Sequence, residues 1–459
     1  MFLLRILGFA FALTLGACAS VSNVPINVPT ADANGGVSAN AIPTEASEDD
    51  MLVGLAFSGG GTRAAAFSFG VLRGLADERR KIGSRSISLI DHIDFISGVS
   101  GGSITAAYFG LKKRAALTDF RERFLLKDAE AELRTNVSIA NFTRAIGGGV
   151  NEDIRFRSWL DANLFEGATF ASLITERRPR IWINATDIYN RTPFVFGKTA
   201  FSAICSDLSQ YPIAAAVAAS AAVPLAFSPI ILETYPDRCN AKLPSWIDRA
   251  LKNPDAPPIL RSFSQGVSRY RDGSIKYIKL LDGGLADNFG LSGFTVARES
   301  SQTPYGPLSR EQAVKLRRVL FLVVDSGRPP QGDWARTLEG PTGADLVAAV
   351  ADSALDLGLR ASYTLFEHTM TDWRNALVRW RCGPEGQAIR RAHGGPNCQD
   401  LKFYVGRVGF DQLGAARAAQ LNVIPTRLKL PQPSVDLLIQ SGQEALLTNS
   451  TFRSFLGSL

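Results

Sequence analysis

Residues 90–102 read IDHIDFISGVSGG, an apolar stretch that runs directly into a turn of glycine and serine. The apolar part has the length and composition of a buried β-strand, and helical character resumes from Ser103 to Leu111. Within the turn, Gly98 to Gly102 fit the pattern G-x-S-x-G. In this strand–turn–helix context the pattern predicts a strained elbow, with Ser100 as a candidate nucleophile.

A second strand–turn–helix unit precedes the first. Residues 51–57, MLVGLAF, form an apolar run that ends in Ser58-Gly59-Gly60-Gly61-Thr62-Arg63, and helical periodicity follows from Ala64 to Leu75. Backbone N–H groups of such a loop, at a helix N-terminus, can stabilise an anion or an oxyanion. We therefore expect Gly59, Gly60, Gly61 and Arg63 to form an oxyanion hole. Repetition of the unit predicts a parallel α/β sheet.

The same loop has a second interpretation. Gly59-x-Gly61-x-x-Ala64 also fits the dinucleotide-binding pattern G-x-G-x-x-G/A. That pattern is followed by an acidic residue about 20 positions later. Asp77 comes early, and Asp94 leads into the elbow. A Rossmann-like nucleotide-binding protein therefore stays open as an alternative, whereas a Walker A loop is excluded because no Gly-Lys-Ser/Thr follows.

A carboxylate ends a third strand. Residues 277–281, YIKLL, run into Asp282-Gly283-Gly284, so we expect the Asp282 carboxylate at the same sheet edge as the glycine turns. Asp325 ends the equally apolar stretch VLFLVV, and spacing does not separate the two candidates. The chain has three histidines, His92, His368 and His393, and none lies beside a glycine motif.

The N-terminus has the pattern of an export signal. Residues 2–17, FLLRILGFAFALTLGA, are apolar apart from Arg5 and too short to span a bilayer comfortably. Leu15-Gly16-Ala17-Cys18 looks like a bacterial lipobox, which implies a signal peptide over residues 1–17, lipidation of Cys18 and attachment to the cell envelope. By analogy with such lipoproteins, Ala19 after the cysteine favours the outer membrane if the source is Gram-negative. Residues 18–50, without an aromatic residue after Cys18, predict a flexible tether.

Four further cysteines remain, an even number that permits disulfides in an exported chain: Cys205, Cys239, Cys382 and Cys398. Neighbours in sequence suggest Cys205–Cys239 and Cys382–Cys398, one of three possible pairings.

The formal charge of +7, from 50 basic and 43 acidic residues without a basic block, does not favour nucleic-acid binding. No metal site or cofactor is expected, and the sequence indicates no oligomeric state. The Pro/Arg/Ser-rich residues 240–275 are expected to be irregular.

Together these segments resemble the patatin-like phospholipase family. GGGTR resembles its oxyanion loop, GVSGG its nucleophile elbow, and DGG with the following LADNFG its catalytic aspartate motif; NATDIYNRTPFVF and AVAASAAVPLAFSPI agree as well. One departure is Ala64, where many members carry glycine. The resemblance implies a three-layer α/β/α fold with a mainly parallel sheet, acyl-ester hydrolysis of membrane phospholipids or other acyl lipids, and a Ser100–Asp282 dyad without histidine. It thus favours Asp282 over Asp325.

The resemblance also divides the chain. The hydrolase domain is expected over residues 51–330, and residues 331–459 form a partly helical C-terminal region that completes or flanks it. A non-catalytic envelope lipoprotein with the same fold is the alternative within the family.

Overall fold

The computed structural model describes residues 24–31, 50–82, 85–131, 133, 153–174, 178–224, 226–240, 242–327, 329, 333–341 and 343–459. Within these residues, eight strands form one central sheet and two more form a separate hairpin. The central strands are β1 Met51–Phe57, β4 Ile93–Val99, β5 Arg180–Asp187, β6 Thr192–Phe196, β7 Ile230–Glu233, β8 Tyr277–Asp282, β9 Arg318–Asp325 and β10 Lys402–Gly409. The hairpin strands are β2 Arg79–Ile82 and β3 Arg85–Ser88.

The central sheet is mainly parallel, as the sequence predicts. Its strand order is β10-β9-β1-β4-β5-β8-β7, with β6 also paired to β5. Strands β10, β9, β1, β4 and β5 run parallel to one another. Strands β6 and β8 run antiparallel to β5, and β7 runs antiparallel to β8. The two glycine turns therefore follow neighbouring parallel strands, β1 and β4, and emerge at one edge.

Helices cover the sheet. Their bounds are α1 Gly61–Asp77, α2 Gly101–Lys112, α3 Ala116–Phe120, α4 Asp153–Leu160, α5 Phe170–Ile174, α6 Lys198–Ala203, α7 Ile213–Ser220, α8 Ser245–Lys252, α9 Pro258–Arg271, α10 Gly284–Asp287, α11 Ser292–Glu299, α12 Arg310–Lys315, α13 Ala344–Cys382, α14 Pro384–His393, α15 Ala415–Asn422, α16 Gln432–Thr448 and α17 Ser450–Leu456. Short 3₁₀ or π-helical turns lie at Leu89–His92, Lys113–Ala115, Arg121–Leu125, Asp161–Phe165, Pro236–Arg238, Asp333–Arg336 and Phe410–Leu413.

Two hydrophobic cores lie on opposite faces of the sheet. Side chains of a strand alternate between faces, and in β1 Val53 and Phe57 belong to one core while Leu52 and Ala56 belong to the other. The first core is shared with α1, α2, α7 and α16, and the second with α11, α12 and α13. The fold is therefore the three-layer α/β/α sandwich that was predicted.

The C-terminal region is part of this sandwich. Strand β10 pairs with β9 at the sheet edge, and α16 packs directly on α1. The approach is close enough that a Cβ added at Gly70 of α1 would lie 2.1 Å from the carbonyl oxygen of Ile439, and one at Gly442 would lie 2.1 Å from that of Phe67. Residues beyond 330 thus supply an edge strand and part of one helical layer.

Two segments differ from expectation. Residues 240–275 contain α8 and α9 rather than irregular chain, because Pro244, Pro257 and Pro258 lie at helix starts, where a missing N–H costs no helical hydrogen bond. Residues 24–31, expected to belong to a flexible tether, contact the body: Asn27 donates to the Glu233 carbonyl, 2.9 Å away. The Thr30 N–H donates to the carbonyl of Cys205, also at 2.9 Å.

The cysteines are joined as Cys205–Cys239 and Cys382–Cys398. The proposed signal peptide 1–17, Cys18 and the other tether residues up to 49 lie outside the described residues. In the part of the chain that the structure describes, no helix combines the length and apolar character needed to cross a membrane.

Candidate active site

Ser100 occupies a strained elbow between β4 and α2. Its φ of 51° and ψ of −122° are unusual for a residue other than glycine. The turn fits because its glycines pack on backbone: a Cβ at Gly101 would lie 1.9 Å from the carbonyl oxygen of Gly61, and one at Gly102 would lie 2.5 Å from that of Phe57. The serine, 6% exposed, therefore sits directly beside the glycine loop that follows β1.

Two polar residues support the elbow. The Ser100 N–H donates to Ser220 Oγ over 2.9 Å, and Ser220 in turn donates to the carbonyl of Asn184 over 2.6 Å. Asn184 Nδ2 donates to Ser97 Oγ and to the carbonyl of Gly98, both in β4. Sequence reasoning assigned no role to Ser220 or Asn184, although both lie in the two segments that extend the family resemblance.

Asp282 lies near the elbow, but the direction of its strand differs from the expectation. Because β8 runs antiparallel to β5, its carboxyl end does not belong to the edge formed by the parallel strands. However, Asp282 pairs with Ala185, and the adjacent Asn184 pairs with Val99, the residue before Ser100. The aspartate therefore lies level with Ser100, because the antiparallel strand overlaps only the last residues of β5.

The Asp282 carboxylate is buried and hydrogen-bonded. Burial raises its pKa from 3.8 to about 6, against the opposing effects of hydrogen bonds from the Gly284 N–H and the Ser100 side chain. The Gly284 N–H lies 2.8 Å from Oδ1. Gly283 approaches so closely that a Cβ there would lie 2.3 Å from the Asn184 carbonyl oxygen. Desolvation thus makes this carboxylate a stronger base than an exposed aspartate.

The rival carboxylate, Asp325, is placed differently. Its Oδ1 accepts from the Gly327 N–H over 2.7 Å, and its Oδ2 pairs with Arg407 over 2.9 Å. Both oxygens of the Asp325 carboxylate therefore have partners other than Ser100. The structure therefore brings Asp282, rather than Asp325, together with Ser100.

The glycine loop presents its N–H groups unevenly. Gly59 differs from the expectation that it contributes to an oxyanion hole, since its N–H donates to the carbonyl and to Oδ1 of Asn288, 3.2 and 3.1 Å away. This contact fixes the loop, and the Gly59 N–H is therefore not available to an oxyanion. The N–H groups of Gly60, Gly61 and Gly101 have no acceptor among the residues that the structure describes. Gly101, to which sequence reasoning assigned no separate role, directly follows Ser100 and is thus a further candidate donor.

Residues of the C-terminal region form hydrogen bonds with the glycine loop that follows β1. Arg63, only 4% exposed, donates from Nη1 to the carbonyl of Ile424 over 3.1 Å. The Thr62 N–H donates to the carbonyl of Arg427 over 2.8 Å. The guanidinium therefore supports the loop, with its positive charge close behind Gly60. No sequence signal pointed to residues 424–427.

The site as a whole combines a hydroxyl, a carboxylate of raised pKa and unoccupied N–H donors at one buried edge. These are the elements of acyl transfer through a covalent intermediate. Within the described ranges, no group of three or more His, Cys, Asp or Glu side chains is arranged to bind a metal ion.

Comparison with known proteins gives a family and a distant structure. Residues 55–295, just over half of the chain, match the family described as patatin-like phospholipase. Among solved structures, the chain is similar to human GIVD cytosolic phospholipase A2, with 12% identity and a TM-score of 0.40 over 92% of this chain. The alignment spans 66% of that protein, just under two thirds of its length. No curated protein matches the sequence.

Proposed function

The chain belongs to the patatin-like phospholipase family, and from that membership we propose that it cleaves acyl esters of lipids with Ser100 as nucleophile and Asp282 as base. The observation that carries this proposal is the placement of Ser100 beside the buried Asp282 carboxylate, whose pKa burial raises to about 6. A general base works best when its pKa approaches the working pH.

In the first half-reaction, Ser100 Oγ attacks the ester carbonyl while Asp282 accepts the hydroxyl proton. A tetrahedral intermediate forms, and its oxyanion is stabilised by the N–H groups of Gly60, Gly61 and Gly101. The positive charge of Arg63 and the N-terminus of α2 favour the same negative charge. Asp282 then returns the proton to the leaving alcohol, and the acyl group remains on Ser100.

In the second half-reaction, water replaces the alcohol. Asp282 accepts a proton from the water, which attacks the acyl carbonyl through the same intermediate geometry. Collapse releases the fatty acid and returns the proton from Asp282 to Ser100 Oγ. One carboxylate thus serves both steps without histidine.

The experiment is lipid hydrolysis by the purified protein, followed by mass spectrometry of the products. Wild type should release fatty acid from phospholipid, and Ser100→Ala should not. A fluorophosphonate probe should label wild type and leave Ser100→Ala unlabelled. Ser264→Ala is a matched control, because Ser264 is equally buried but lies in α9, away from the site.

Three results would count against the proposal. Full activity of Ser100→Ala would eliminate the nucleophile. Wild type that neither reacts with the probe nor releases fatty acid would favour the non-catalytic alternative. For the base, Asp282→Asn should lose more activity than Asp325→Asn, and the opposite ranking would show that the wrong carboxylate was chosen.

We also propose that the protein is anchored in the bacterial envelope through lipidated Cys18. The lipobox-like sequence supports this anchor, and the two disulfides fit an oxidising compartment. Cells fed a clickable palmitate analogue should label wild type and not Cys18→Ser, and the variant should leave the membrane fraction. Equal labelling of both proteins would refute the anchor.

A further inference from the structure

A cavity of about 470 Å³ lies outside the catalytic pair. Its volume falls within the range of about 300–1,000 Å³ that is typical of small-molecule sites. The walls come from the ends of β9 and β10, from α13 and α15, and from the Phe410–Leu413 turn. Except for Phe289, its lining residues lie beyond residue 295, outside the part of the chain that matches the family.

The inner wall of the cavity is continuous with the glycine loop. Phe289 lines the cavity, and the preceding Asn288 accepts from the Gly59 N–H. Asp325 and Gly327 also line it, and Ser326 between them donates to the carbonyl of Gly59 over 3.2 Å. The inner wall of the cavity is therefore built next to the residues that hold the glycine loop, which faces the ester carbonyl in the proposed reaction.

One guanidinium in the cavity is already neutralised. Arg407 pairs with Asp325 over 2.9 Å and also with Asp411. Although burial alone would lower it, these two carboxylates hold the pKa of Arg407 above its ordinary value. Two carboxylates on one cation leave a net negative charge, which does not favour a purely anionic ligand.

A second pair of opposite charges lies one helical turn apart on α13. Asp356 and Arg360 both line the cavity. Neither has an ion-pair or hydrogen-bond partner among the residues that the structure describes. Side chains four residues apart project on the same helix face, about one turn from each other. The cavity therefore presents a carboxylate and a guanidinium side by side to a ligand.

Aromatic rings complete the wall. Phe289 and Tyr363 meet edge to face with ring centroids 6.1 Å apart, and Phe410 lines the same cavity. Burial and the nearby Glu367 raise the pKa of Tyr363 to about 12, so its phenol stays neutral. Aromatic faces attract ammonium groups, which adds to the attraction of Asp356.

We infer that this cavity binds the zwitterionic, amine-bearing head group of the lipid substrate, with the phosphate at Arg360 and the ammonium group between Asp356 and the aromatic rings. The inference rests on the proposed function, which it deepens by naming the substrate class. The head group in the cavity places the glycerol backbone across the glycine loop, and hence an ester carbonyl beside Ser100.

The test compares dioleoyl phosphatidylethanolamine with dioleoyl phosphatidylglycerol in mixed detergent micelles, as the ratio of kcat/KM values. Wild type should prefer the ethanolamine lipid. Asp356→Asn and Arg360→Gln should each lower kcat/KM for that lipid by about three- to fivefold, the upper range for a solvent-screened charge contact. Asp356→Asn should also lower the ratio between the two lipids. Asp248→Asn and Arg453→Gln, exposed positions on α8 and α17, serve as matched controls.

A binding measurement separates failure of the inference from failure of the proposed function. Calorimetry should detect glycerophosphoethanolamine binding to wild type, weakened by Asp356→Asn. Such binding without hydrolysis of either lipid would refute the proposed function and retain the head-group site. Hydrolysis of both lipids with no preference, unaltered by either variant, would overturn the head-group site alone. A preference for phosphatidylglycerol that depends on Arg360 and not on Asp356 would also overturn the head-group site.

Discussion

Replacing Asp282 with asparagine is expected to inactivate the protein and at the same time stabilise it. The folded state raises the pKa of this carboxyl from 3.8 to about 6, chiefly by burial. At 1.36 kcal/mol per pKa unit, keeping the carboxylate charged at neutral pH costs the fold about 3 kcal/mol. Asparagine has nearly the same shape and carries no charge, so it avoids this cost.

The hydrogen bonds around the side chain can be kept in the variant. Asparagine Oδ1 can accept from the Gly284 N–H as the carboxylate does, and Nδ2 can donate to Ser100 Oγ. The expected gain in unfolding free energy is therefore about 1–3 kcal/mol at about pH 8, where wild-type Asp282 is charged in both states. At about pH 4 the gain should largely vanish, since the folded wild type then holds a neutral carboxyl.

Urea unfolding, followed by tryptophan fluorescence with the disulfides kept oxidised, measures both values. Wild type and Asp282→Asn are compared at the two pH values, and hydrolysis is measured in parallel. A variant that is equally stable or less stable than wild type at about pH 8 would refute the reasoning. A gain of the same size at both pH values would show that packing, and not the buried charge, is responsible.

Three further outcomes are expected. The kcat/KM of wild type should rise with pH through about pH 6 and then level off, because only the ionised Asp282 accepts the serine proton. Ser220→Ala leaves the buried Ser100 N–H without its acceptor, so it should lose about 1–3 kcal/mol of stability and roughly tenfold in kcat. Gly442→Ala sets a Cβ 2.1 Å from the Phe67 carbonyl oxygen, and urea unfolding should show a loss of about 1–3 kcal/mol or more.

Each of these outcomes has a control and a contrary result. A flat pH profile between about pH 5 and 8 would contradict the titration of Asp282 in the rate-determining step. Ser264→Ala controls for loss of a buried hydroxyl, and the Ser220 argument fails if the two variants are equally active. Gly457→Ala controls for the glycine change, because its Cβ has no atom closer than 3.5 Å. Equal stability of the two alanine variants would disprove the tight helix contact.

The sheet and the placement of Ser100 and Asp282 at one site could be predicted because their signals are local. Four of the parallel strands are short apolar runs, buried on both faces, and this composition is readable in a single sequence. The elbow is encoded by glycines that no larger residue can replace, since Gly101 and Gly102 lie against backbone. Asp282 lies near the elbow as expected, but the reasoning was incomplete. It took the strand YIKLL to be parallel to its neighbours, and strand direction depends on pairing that the sequence does not show.

The remaining parts depend on contacts across long sequence distances. Strand β10, KFYVGRVG, lies at the sheet edge with one face partly exposed, so its composition is mixed. The roles of Ser220 and Asn288 come from accepting hydrogen bonds from the N–H groups of Ser100 and Gly59, and neither residue type is unusual at its position. Backbone carbonyls at residues 424 and 427 support the glycine loop, and a carbonyl carries no sequence signal.

The carbonyls of Ile424 and Arg427 bear on the stage of synthesis at which the glycine loop can take its folded position. All three motifs have been synthesised by residue 290, whereas the Ile424 and Arg427 carbonyls that accept from Arg63 and Thr62 are made much later. A product that ends before residue 424 would thus contain Ser100, Asp282 and the glycine loop, but the loop would lack these two hydrogen bonds. We therefore expect a chain that ends before residue 424 to be inactive, even though it contains Ser100 and Asp282.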